Sequence, residues 1–151
     1  MRALHSEDMP WLRELYASTR HAELAQVTWP EASKRAFLDS QFDLQHHHYQ
    51  CHYPDSDFLA IEHAGAPVGR YYLQRRAPNH LIVDISLLPD QRNRGIGSAL
   101  IQASQTDAAV QGRGMQLHVR IDNVHAQRLY QRLGFVVIQE QGLHQLMHWS
   151  S

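Results

Sequence analysis

Residues 82–109 read IVDISLLPDQRNRGIGSALIQASQTDAA. The stretch opens on an apolar run, Ile82 to Leu88, that has the composition of a buried strand. Pro89-Asp90 ends it, because proline has no N–H to give a ladder. A polar loop follows. From Gly95 to about Val110 the spacing becomes helical, with Ile96, Leu100, Ile101 and Ala108 on one side. Gly112-Arg113-Gly114 stops the helix.

The joint between strand and helix, Arg92-Asn93-Arg94-Gly95-Ile96-Gly97-Ser98, carries the chemistry. The first turn of a helix has backbone N–H groups without helical partners and the positive end of the helix dipole, so it suits an anion. Gly95 and Gly97 let backbone approach a ligand closely, and Arg92 and Arg94 add charge that pairs with phosphate. The pattern predicts a diphosphate site. A P-loop needs a lysine after its last glycine, and none is there. A dinucleotide fingerprint needs a third glycine where Leu100 stands, and it follows the first strand of a βαβ unit rather than several earlier strands.

Working outward, residues 1–5 hold the stub of a strand. Ser6-Glu7-Asp8 caps a helix to about Arg20, and Pro30 starts a second from Glu31 to about Tyr49. Phe58–Glu62 and Val68–Gln74 read as a hairpin around Gly65-Ala66-Pro67, and His80–Leu88 as the next strand. After the helix come a strand from Met115 to Ile121, a short helix from Asn123 to Leu133, a strand from Phe135 to Ile138, and a last one from Leu143 to Trp149. That order predicts an α/β (α+β) fold: a mixed, mostly antiparallel central sheet of about six to seven strands flanked by about four helices. The 151 residues fit one domain, 1–151, and the 43% hydrophobic content suffices for its core.

A second block, Asn123-Val124-His125-Ala126-Gln127-Arg128-Leu129-Tyr130-Gln131-Arg132-Leu133-Gly134-Phe135, lies one helix and one strand downstream. Together, Arg-x-x-Gly-x-Gly at 92–97 and Asn-x-x-Ala-x-x-Leu-Tyr-x-x-x-Gly-Phe at 123–135 resemble the two signatures of the GCN5-related N-acetyltransferases (GNAT). The similarity covers about residues 57–149. It implies that the loop from Arg92 to Ser98 (Arg92, Asn93, Arg94, Gly95, Ile96, Gly97 and Ser98) binds the pyrophosphate of acetyl-CoA. It further implies a bulged strand splayed from its parallel neighbour, with pantetheine in the opening on backbone groups of Leu87 and also Leu88. A bulge leaves ladder groups free for such a ligand. Tyr130 is implied as the acid that protonates the departing thiolate, since a phenol of ordinary pKa, about 10, keeps its proton at neutral pH. The resemblance also implies that Tyr130 contacts the cofactor. Asn123 is implied near the cofactor, and as an asparagine it also suits a helix cap.

The resemblance predicts acetyl transfer from acetyl-CoA, as co-substrate, to a primary amine by direct attack in a ternary complex. The alternative is a CoA-binding regulatory or interaction module that keeps the fold without transfer. An attacking amine needs a base. Asp84 stands out as a carboxylate in an apolar strand, either as that base or paired with Arg70, Arg75 or Arg76; His118 is a second candidate. Trp29, Tyr49, Tyr71 and Tyr72, with helix-two residues from Gln41 to Tyr49, are expected either near the amine acceptor, a small molecule or peptide, or, for the aromatics, equally in the core.

Composition bounds the remainder. The formal net charge of −1 gives no overall pull toward nucleic acid or membrane, and only Lys34 among fourteen cationic side chains is a lysine. No run approaches the roughly 18 apolar residues of a membrane span. The lone cysteine, Cys51, allows no internal disulfide and suggests a reducing, cytoplasmic setting. No metal is expected: His46, His47, His48 and His52 lack an ordered partner set. The C-terminal strands are compatible with a homodimer.

Overall fold

The computed structural model describes residues 1–151. The chain divides into two compact units, Met1–Tyr71 with Ser86–Gln91, and Tyr72–Ile85 with Arg92–Ser151.

In the first unit, β1 (Arg2–Ala3) pairs antiparallel with β2 (Asp57–His63), Arg2 opposite Ala60. A 3-10 turn at Ser6–Asp8 leads into α1 (Met9–Leu24), and α2 is Glu31–His52. The turn is fastened by a buried carboxylate. Asp8 accepts bonds from Nη1 and Nη2 of Arg2 (2.9 and 2.8 Å), the His5 N–H (2.9 Å) and Trp11 Nε1 (2.7 Å). Arg2 and these donors hold the Asp8 carboxyl far below the usual carboxylate range. Leu12, Tyr16 and Leu24 of α1 pack with Leu38 and Phe42 of α2, the i, i+4 stripes that their spacing dictates.

The second unit is built on a crossover. Residues from β4 (Asn79–Leu87) pair in parallel with β5 (Gly114–Arg120), because α3 (Ile96–Val110) carries the chain back between them. α4 is Val124–Arg132, and β6 (Val136–Gln141) and β7 (His144–Trp149) follow. β7 pairs antiparallel with β5 from Met115↔Trp149 to Arg120↔His144, and with β6 through an irregularity between Val137 and Gln139. Ile101, Ala108, Met115, Leu117, Phe135 and Met147 form the buried centre, each at 2% exposure or less. With β3 (Ala66–Gln74), the strands run β1-β2-β3-β4-β5-β7-β6 in one seven-stranded, mostly antiparallel sheet, with four α-helices. That is the predicted class.

Several local expectations change: α1 runs on to Leu24, and β6 is Val136–Gln141. Pro67 is not in the turn but in β3, as its second residue, where a strand tolerates a missing N–H; the turn is Ala64-Gly65. Gly95 is the N-cap of α3 rather than its first residue, with φ +78°. α2 runs one turn further, to His52. Leu88 lies beyond β4, which ends at Leu87.

Candidate functional site

The loop before α3 turns through two left-handed residues, Asn93 (φ +61°) and Gly95 (φ +78°). Glycine reaches this region without strain, and asparagine at lower cost than most residues. The first helical bond runs from Ala99 N–H to Gly95 O (3.0 Å), and no side chain caps the start. The amides of Ile96, Gly97 and Ser98 therefore have no partner within the helix, and they share its positive end. Arg92 and Arg94 are exposed beside them. A Cβ added at Gly97 would meet only Ile85 Cδ1, at an ordinary 3.9 Å. The protein's own packing leaves room for a side chain that the sequence does not place there.

α4 is fixed at both ends. Asn123 Oδ1 accepts from the Ala126 N–H (3.2 Å), which caps the helix, and Gln127 Nε2 donates to the carbonyls of Arg120 and Ile121, both at 2.9 Å. At the far end, the buried Gln105 of α3 donates to the Leu133 carbonyl (2.8 Å). Tyr130 lies half-buried with its ring edge-on to Phe135, centroids 6.1 Å apart. His125, in the first turn, reaches the loop: its Nε2 is 3.2 Å from Asn93 Oδ1.

The parallel ladder between β4 and β5 runs from Asn79↔Gly114 to Ile82↔Leu117. Both strands continue past its end, through Val83-Asp84-Ile85 and His118-Val119-Arg120. Asp84 is half-buried in this stretch. His118 is exposed, opposite Leu146 on β7. Partial burial, then His144 and Arg76, push its pKa below the ordinary histidine value, which keeps a neutral imidazole with a lone pair at neutral pH. Arg75 pairs with Asp107 (3.7 Å), and Arg76 donates to the Asn79 carbonyl (3.3 Å) and to Gln74 (3.2 Å).

In the first unit, the segment after β4 is held against β3. Leu88 N–H donates to the Val68 carbonyl (2.8 Å), and the Leu88 carbonyl accepts from Gln91 (2.9 Å). Both backbone groups of Leu88 thus have partners within the protein, where the resemblance implied that they face pantetheine. Gly69 was missed from sequence. A Cβ there would collide with the Ser86 carbonyl oxygen and crowd Leu87 Cδ2 at 2.8 Å, so only glycine admits this approach. A lone glycine inside a strand is the signal that could have found it.

Around α2, the buried Arg70 (2% exposed) donates from Nη2 to Gln45 Oε1 (2.6 Å) and lies over the Tyr49 ring (5.9 Å). His46 stacks on Phe42; burial, then the Arg70 charge, lower its pKa. Trp29 is exposed and meets Phe37 edge-on. Tyr71 and Tyr72 are each at most 1% exposed, so of the two readings, acceptor neighbours or core, their burial fits the core. Farther along, His48 stacks on His52 and Cys51 Sγ is 3.4 Å from His47 Nε2. No group of three or more His, Cys, Asp or Glu side chains is placed to hold a metal ion. No helix is long and apolar enough to cross a membrane.

A family model described as Acetyltransferase (GNAT) family matches residues 12–135. Among curated proteins, none matches. Among solved structures, the chain is similar to the PaiA N-acetyltransferase of Thermoplasma acidophilum in complex with coenzyme A. There the TM-score is 0.74 and the identity 19%, over 99% of this chain and 97% of that one. A GNAT acetyltransferase of Elizabethkingia anophelis with acetyl-CoA bound gives 0.59 and 16%, over 70% and 82%. A spermidine N-acetyltransferase chimera from Vibrio cholerae and hSSAT gives 0.63 and 20%, over 98% and 94%. At these identities the likeness is one of fold.

Proposed function

This chain belongs to the acetyltransferase (GNAT) family, and on that footing we propose that it moves an acetyl group from acetyl-CoA to a primary amine. The whole of residues 1–151 acts as one transferase domain. The observation that carries the proposal is the α3 start: an uncapped helix end, two left-handed residues before it, and a glycine at 97 that packing does not require. Helix-end amides from Gly95 to Ser98, with Arg92, Asn93 and Arg94, hold the pyrophosphate. The Leu87 backbone takes the pantetheine arm, and Asn123 sets the start of α4 near the cofactor.

The reaction is direct. The amine nitrogen attacks the thioester carbonyl carbon, the C–S bond breaks, and the thiolate takes the Tyr130 proton. Asp84 receives the amine proton; His118, held neutral, is the other acceptor within the same pair of strands. The PaiA and Elizabethkingia proteins, solved with CoA and acetyl-CoA, support the choice of cofactor, and the Vibrio chimera supports an amine as acceptor.

Thiol release from acetyl-CoA, measured with a panel of polyamines, amino acids, aminoglycosides and peptides, tests the proposal. Turnover with at least one amine is the expected result. Thermal stabilisation by CoA without turnover on any acceptor would instead identify a CoA-binding module.

A further inference from the structure

His125 occupies a position that the second signature leaves open, between Asn123 and Ala126, yet its side chain does not point idly into solvent. Its Nε2 lies 3.2 Å from Asn93 Oδ1, a geometry in which the imidazole N–H donates and the amide oxygen accepts. Asn93 is one of only two non-glycine residues with positive φ, and it lies two residues before the N-cap of α3. α4 itself is anchored independently, by Asn123 at its cap and by Gln127 on Arg120 and Ile121. Helix α4 therefore presents His125 as a fixed post to which the loop is tied, and the helix does not need that bond for its own stability. We propose that His125 is a positioning residue for the cofactor: by holding the Asn93 side chain it keeps the loop in the left-handed turn that aims the α3 amides at the pyrophosphate.

The proposal rests on CoA being the ligand of this loop. It is tested by titrating CoA and 3′-dephospho-CoA calorimetrically into wild type, His125→Ala, Asn93→Gly and the double variant, with the melting temperature of each recorded. One lost hydrogen bond corresponds to about a fivefold to tenfold weaker CoA affinity in His125→Ala. An equal loss is expected with the dephospho form, and an unchanged melting temperature. In the Asn93→Gly background there is no side chain to hold, so adding His125→Ala should change affinity less than about twofold. Three results overturn the inference. These are wild-type affinity in His125→Ala, the full loss persisting in the glycine background, or a loss seen with CoA but not with dephospho-CoA, which would mean a direct contact with the 3′-phosphate. Absence of CoA binding by wild type would instead remove the functional proposal, and this inference with it.

Discussion

Tyr130 and His80 illustrate two different reasons for a polar group to be inside. The Tyr130 ring is packed on Phe135, and in the proposed reaction its hydroxyl protonates the leaving thiolate, so phenylalanine there keeps the ring contact and removes the proposed donor. Tyr130→Phe should lower turnover about a hundredfold and leave CoA affinity within about twofold, which steady-state rates and calorimetry would separate. His80 is fully buried, with Nδ1 lacking a hydrogen-bond partner and Nε2 3.4 Å from Arg113 Nη1. Burial, then the Arg113 charge, push its pKa down; Asp107 opposes this and Arg75 adds to it. The unfolded chain thus binds a proton more readily than the folded one. The stability tied to neutral His80 is fully present above the unfolded value, about 6.5, and is lost as pH falls below it. Melting temperature should fall between pH 7 and pH 5 in wild type and be flatter in His80→Leu.

At the scale of elements, α3 shows a helix built against its own propensity. Glycine at 97 costs the helix up to about 1 kcal/mol relative to alanine, and the space beside Ile85 would accept the methyl group. Gly97→Ala should therefore raise the melting temperature slightly and, if the proposed pyrophosphate site is right, weaken CoA binding by tenfold or more, because the added Cβ would stand in that site. Loss of stability without loss of affinity would argue that the glycine serves the fold. The strand–loop–helix unit was legible in sequence because its signals are contiguous: an apolar run, a proline stop, two glycines at the turn, a helical stripe. The approach of Gly69 to Ser86 was not, since it depends on the pairing of residues seventeen apart in the chain. The same holds for Leu88, whose amide is taken by Val68.

At the scale of the molecule, the edge of the sheet gathers several exposed apolar side chains. β6 ends the strand order, every one of its residues is exposed, and Val136, Val137 and Ile138 are each more than 40% exposed, with Leu143 at 60%. An open apolar edge invites pairing with a second copy, and a net charge of −1 offers little repulsion to prevent it. Sedimentation velocity at pH 7 should show concentration-dependent self-association in wild type and much less in Val137→Lys; equal behaviour would clear β6 of that role. By itself the sequence determined the fold class, the crossover around α3, the glycine-bearing start of that helix and the cap at Asn123. Each of these follows from backbone preferences and periodicities of neighbouring residues. Only the tertiary structure decided that Tyr71 and Tyr72 are core, that Leu88 spends its amide on Val68, and that His125 reaches Asn93. Those outcomes depend on which distant segments are brought within a few ångströms, and the residues themselves carry no local record of it.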